Sequence, residues 1–176
     1  MKRYTAFLVF LIFVSVQAIS QQDESAYLNK VQTLDGTLET LYGVISGEKD
    51  EARNWNLFNY LFVPTAQLMP IQRNEDERWA PKVLTVEEYI ATAGAWLEKN
   101  GFYEKEIHRV VETYGPLTHV FSTYESYYSQ KDNAPFARGI NSIQLLYDDS
   151  RWWVVSIYWF GETEEYPIPA AYLPND

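Results

Sequence analysis

The chain has no cysteine and only two histidines among its 176 residues. Without cysteine it can form no disulfide and offers no thiolate nucleophile or lipid-attachment thiol, so any exported form must hold by packing alone. The histidines, His108 and His119, stand eleven positions apart with no His-x-x-x-His pair. That spacing is not characteristic of a zinc site, and no metal is expected. Positive charge is also scarce: 14 Lys and Arg face 24 Asp and Glu, a formal net charge of −10. No stretch concentrates basic residues, which argues against nucleic acid and against anionic membrane surfaces as partners. There is no glycine-rich phosphate loop and no Gly-x-Ser-x-Gly elbow, so neither a nucleotide cofactor nor a serine nucleophile is indicated. No cofactor is expected.

What is present begins with a leader-like segment. Residues 1–20 carry Lys2 and Arg3, an apolar run from Ala6 to Val14, and the small-residue triplet Ala18-Ile19-Ser20. This is the plan of a cleaved secretory signal peptide, and the run is shorter than the roughly 18 residues that a retained membrane span needs. Export to a bacterial periplasm or medium is expected, with cleavage near Ser20 and a mature chain from about Gln21. Removing Lys2 and Arg3 would leave a formal charge of −12. Residues 21–160 are expected to form one domain, followed by an extended, proline-containing tail over 161–176.

Apolar residues three or four apart from Tyr27 through Ile45 predict an amphipathic helix over Ser25–Ser46, with Gly36 tolerable where another backbone packs closely. Asn54–Val63 predicts a short second helix ended by Pro64, and Ala66–Ile71 a first, edge strand. Gln72–Lys82 reads as an exposed loop. Thr85 with Glu88 forms a capping box for a third helix, ended by Asn100-Gly101. Four strands then follow: Lys105–Tyr114, Leu117–Ser129, Arg138–Tyr147 and Arg151–Phe160, separated by turn-forming clusters and rich in aromatic and β-branched residues. Helices followed by an antiparallel meander predict an α+β domain with helices on one sheet face.

A turn at Asp148–Arg151 sets Tyr147 opposite Trp152, and a regular ladder continues through Leu146 with Trp153, Gln144 with Val155, Ser142 with Ile157 and Ile140 with Trp159. With Glu125 beside Arg138, one face then carries His119, Glu125, Arg138, Gln144 and Trp159. The other holds Asn141, Ser156 and Tyr158 among apolar residues. Either face can line a pocket. The first has more ionisable chemistry, so its five residues are the ligand-binding candidates. Arg138 would clamp a carboxylate or carbonyl, with Glu125 orienting it, or the two would be a plain ion pair. His119 and Gln144 would hydrogen-bond along the ligand, and Trp159 would pack on its apolar body.

The order of elements, together with the texture of Thr118–Glu125, Arg138–Leu145 and Arg151–Ser156, resembles the nuclear transport factor 2-like (SnoaL-like) superfamily. The resemblance implies a cone-shaped, curved antiparallel sheet wrapped on three N-terminal helices, the cystatin-like α+β barrel, with a pocket closed by helices and often a homodimer through the outer sheet face. Such folds host isomerases, dehydratases, ligand binders and adaptors. The expectation is a module that binds a small apolar or carboxylate-bearing molecule. Its alternatives are a cofactor-free isomerase or dehydratase using a cavity histidine or carboxylate, and a dimeric adaptor.

Overall fold

The computed structural model describes residues 25–174; the leader-like segment and the expected cleavage point lie outside them. Residues 25–30 form helix α1 and Leu34–Ile45 form α2, so the helix expected over Ser25–Ser46 is two. Thr33 separates them: its Oγ1 accepts from the Gly36 N–H at 3.0 Å and caps α2. The break leaves the Val31 carbonyl to accept from the Trp152 N–H at 2.8 Å, a bond that an unbroken helix would have spent on its own ladder. Gly36 is required there, since a Cβ would lie 2.9 Å from the Lys30 carbonyl oxygen. Helix α3 (Trp55–Tyr60) starts where Asn54 Oδ1 accepts from the Leu57 N–H. Helix α4 (Val86–Tyr89) carries the expected Thr85–Glu88 capping box. It runs through a π-helical turn, Ile90–Gly94, into α5 (Ala95–Asn100), which stops at Gly101 with φ +74°. Buried Arg53 ties helix ends together by donating to the carbonyls of Ile45, Gly47 and Leu97.

Strand β1 (Phe62–Arg73) is longer than expected, and β2 (Trp79–Pro81) folds back on it where an exposed loop was expected. The hairpin is fixed by Asn74 Oδ1, which accepts from the Asp76 and Arg78 N–H groups, and by the Arg73 guanidinium 4.0 Å from the Trp79 ring centroid. The meander follows as β3 (Tyr103–Tyr114), β4 (Leu117–Tyr127), β5 (Ala137–Tyr147) and β6 (Trp152–Gly161). The sheet order is β2-β1-β6-β5-β4-β3. It is not purely antiparallel as expected: β1 runs parallel to β6, with an irregular interval between Phe62 and Gln67 that contains Pro64. A proline donates nothing to a ladder and is accommodated at such an interruption.

Two further irregularities position the site. The β3–β4 register shifts between Glu106 and His108, and the β5–β6 register shifts between Gln144 and Leu145, where Val155 is the extra residue. Because side chains alternate with period two, each extra residue exchanges the faces of everything beyond it.

The helices cover one face of the sheet, here the inner face. Leu38, Leu41 and Ile45 of α2, Phe58 of α3 and Leu97 of α5 pack against Val120, Ile143, Leu145 and Val154. The described part of the tail, expected as an extended segment, packs on the sheet. It returns across the outer face, ends in a 3-10 turn at Ala170–Tyr172, and sets Tyr172 edge-on to Phe121 at 5.0 Å. Thr123 Oγ1, on that face, donates to the Tyr172 carbonyl at 2.6 Å. Among the described residues no helix is long and apolar enough to cross a membrane.

Candidate functional site

Between the helices and the inner face lies a cavity of ≈ 290 Å³. Helix α2 contributes Leu41, Tyr42 and Ile45, α3 contributes Phe58, and α4 contributes Tyr89; the sheet contributes Glu104, Tyr124, Ser126, Asn141 and Trp159. The walls are chiefly apolar and aromatic, with Tyr89 stacked on Phe58 at 5.4 Å and edge-on to Trp159 at 6.4 Å. A few polar groups in an apolar hollow are the usual make-up of a small-molecule site.

Among the described residues Glu104 is the one acid lining this cavity, and no lysine, arginine or histidine lines it. Burial pushes its carboxyl up from 4.5 to about 7, against the opposing pull of hydrogen bonds from Ser126 and Asn141. Ser126 Oγ donates to Glu104 Oε2 at 3.0 Å. Asn141 Nδ2 also donates to Tyr42 OH at 3.0 Å, and Tyr42 OH is 2.7 Å from Ser122 Oγ. Ser122 Oγ in turn donates to Glu106, whose other carboxylate oxygen meets Arg109 Nε at 2.9 Å; Arg109 Nη1 pairs with Asp35 at 2.9 Å. A polar chain thus runs from the cavity to a surface ion pair. Burial pushes the Tyr42, Tyr89 and Tyr124 hydroxyls above the ordinary phenol range, so all three are neutral at physiological pH. Among the described residues the Tyr89 and Tyr124 hydroxyls make no hydrogen bond, which leaves two phenols for a ligand. Gly139 makes room for one of them: a Cβ there would overlap the Tyr124 hydroxyl.

Of the five candidates named from sequence, only Trp159 is in this cavity. His119, Glu125, Arg138 and Gln144 share the outer face, on the far side of the sheet. The expected strand register that sets Glu125 opposite Arg138 is present, and it also sets His119 opposite Gln144. The regular continuation of the β5–β6 hairpin is not: the extra Val155 pairs Trp159 with Asn141 instead of Ile140. It also moves Ser156 and Tyr158 to the outer face. Arg138 does not pair with Glu125 but forms a two-pronged ion pair with Glu162 of the tail, at 2.8 and 3.1 Å. Glu125 instead takes Lys105 at 3.2 Å and the Tyr127 hydroxyl at 2.5 Å. His119 Nε2 lies 2.9 Å from Ser142 Oγ, and Nδ1 lies 3.4 Å from Glu112. These are contacts within the outer face and its tail, not with the helix-side cavity.

The sequence reading missed Glu104, Tyr42, Tyr89 and Tyr124. Extending the β3–β4 hairpin regularly from its Tyr114–Leu117 end would place Glu104 opposite Tyr127, on the outer face. The extra residue Ile107 pairs it with Ser126 and turns it inward. The one available signal was an acid flanked by aromatic residues, Phe102-Tyr103-Glu104. Among the described residues no cluster of three or more His, Cys, Asp or Glu is placed to hold a metal.

No protein-family model matches the chain, and no curated protein matches it. Solved structures do. A protein of unknown function with a cystatin-like fold from Nostoc punctiforme aligns with TM-score 0.54 at 9% identity, over 73% of this chain and 87% of that one. The beta subunit of a candidate aromatic-ring-hydroxylating dioxygenase from Novosphingobium aromaticivorans aligns with TM-score 0.53 at 13% identity, over 89% and 99%. A candidate ketosteroid isomerase from Parabacteroides distasonis gives 0.51 at 9% identity, over 77% and 98%. The chain has the cystatin-like α+β fold, with one strand beside the meander running parallel to β6.

Proposed function

We propose that the chain is a small-molecule-binding module whose site is the cavity between the helices and the inner sheet face. The observation that carries this reading is the combination of a ≈ 290 Å³ hollow, apolar aromatic walls and three polar groups converging on it: Glu104, Tyr89 and Tyr124. Titrating the protein with one-ring aromatic compounds while following side-chain NMR signals tests it. The indole N–H of Trp159, assigned by its loss in Trp159→Phe, and the Asn141 amide should shift together, while the Arg138 guanidinium stays put. Shifts confined to Arg138, Gln144 and His119 would transfer the site to the outer face.

A second reading, a cofactor-free enzyme of the isomerase or dehydratase type, is favoured by one observation. Burial pushes the Glu104 carboxyl up to about 7 within the cavity, near the range where a general acid or base is most effective. A rate that follows an ionisation near pH 7 and is abolished in Glu104→Gln would support it. Export belongs to the same proposal and is tested by N-terminal sequencing of protein recovered outside the cytoplasm of a bacterial host; an intact Met1 there would refute it. Self-association through the outer face would have to use what the tail leaves open, including Val110 and Tyr158, each about 40% exposed. Light scattering that finds a monomer at high micromolar concentration would exclude it.

A further inference from the structure

Glu104 is an acid set into an apolar cavity with no counter-ion among the described residues. Its neighbours there are neutral: Tyr42 from α2, Tyr89 from α4 and Tyr124 from β4 are un-ionised phenols, while Ser126 and Asn141 hold the carboxyl from the sheet side. The basic residues of the same strand are engaged elsewhere. Arg109 pairs with Glu106 and Asp35, and Lys105, one residue along β3, points to the outer face and pairs with Glu125. An anion entering this hollow would meet an acid and no base. A cation would meet a carboxylate, two phenol oxygens with free lone pairs, and walls that include the aromatic side chains of Phe58, Tyr89 and Trp159.

We infer that the cavity takes a small organic cation, a primary or secondary ammonium group on a one-ring or similarly compact apolar body. This rests on the cavity being the binding site, and it reverses the ligand charge expected when Arg138 was the anchor. The ammonium head has donors to give, and Glu104 Oε and the phenol oxygens are the acceptors within the cavity. Aromatic faces attract a desolvated cation through their quadrupoles. The ≈ 290 Å³ available, about twice what benzene needs, takes a ring together with its substituents. An excess of ten acidic over basic residues in the whole chain draws cations toward it. A bound ammonium would also supply the charge that Glu104 lacks, so binding at pH values just below 7, where the empty site still holds its proton, should release that proton.

The test is calorimetric titration at pH 8 with three probes of matched shape, benzylamine, benzyl alcohol and benzoate, with the Trp159 indole signal reporting occupancy. Benzylamine should bind about ten-fold tighter than benzyl alcohol, and benzoate weakest of all. Glu104→Gln should bring the amine down to the level of the alcohol while leaving the alcohol unchanged, which also shows that the variant folds. In the wild type the gap between amine and alcohol should narrow as pH falls from 8 to 5. If the alcohol binds as well as the amine, or the gap survives in Glu104→Gln or at pH 5, the cation assignment is wrong while the cavity remains the site. If none of the three moves the Trp159 signal, both fall.

Discussion

Replacing Glu104 by Gln should stabilise this protein at alkaline pH and do little at acid pH. The wild-type carboxyl is raised from 4.5 to about 7 by burial in the folded state. Between those values the folded chain holds a proton that the unfolded chain has released, so folding stability falls as pH rises through this window. Below 4.5 the group is neutral in both states and adds no such penalty. Above 7 the penalty is complete, and each tenfold difference in proton affinity between the two states costs about 1.4 kcal/mol. The raised value therefore corresponds to at most about 3 kcal/mol, an upper figure because Glu104 keeps some contact with solvent. Gln keeps the shape, and its carbonyl can still accept from Ser126. Urea unfolding of both proteins at pH 4.5 and pH 8 isolates this group, because every other titration is common to the pair. The variant should gain up to about 3 kcal/mol at pH 8, or roughly 6–12 °C in Tm, and almost nothing at pH 4.5. An equal difference at the two pH values would refute the claim that Glu104 is a buried, uncompensated acid.

Three other substitutions probe the frame of the site. Glu162→Gln should loosen the tail by about 1 kcal/mol, since it ends the two-pronged contact with Arg138. Limited chymotrypsin digestion should then cleave at Tyr166 or Tyr172 faster than in the wild type. The Ile168 N–H and then Arg138 hold the Glu162 carboxyl below its usual range, so this anchor is fully present above pH 4.5 and weakens as pH falls through the lowered value. Gly139→Ala should cost about 1–3 kcal/mol in thermal unfolding, because the added methyl overlaps the Tyr124 hydroxyl and lies 2.5 Å from the Phe160 carbonyl oxygen. Arg53→Met should lose about 1–3 kcal/mol in urea unfolding, by removing the donor shared by the carbonyls at the α2 and α5 ends, of which Gly47 and Leu97 keep a backbone donor; a change under about 1 kcal/mol would show that water replaces the guanidinium.

Local patterns carried much of the fold. The Thr85–Glu88 box, the helical spacing of Leu34, Leu38, Leu41 and Ile45, and the turns at Gly115-Pro116 and Asp148–Ser150 all act through neighbours a few residues apart. Asp148 illustrates this: its Oδ1 accepts from the Ser150 and Arg151 N–H groups and its Oδ2 from the Trp153 indole. Hence the meander strands begin and end within about two residues of where they were expected. The break at Thr33 was less legible, because it answers to Trp152 on the last strand, far along the chain.

Sequence alone determined that this is an acidic, cysteine-free α+β chain, with helices before a four-strand meander and with the inner pairings near each turn. Tertiary structure decided which chemistry faces the cavity. Two extra residues, Ile107 and Val155, turn Glu104 and Trp159 inward, and neither can be located by counting from a turn because a period-two ladder gives no warning of where it slips. The parallel seat of β1 beside β6 and the Arg138–Glu162 pair likewise join segments that local propensity does not connect. A face assignment read from sequence holds only as far as the ladder stays regular, and here the candidate site lies just beyond the point where it stops.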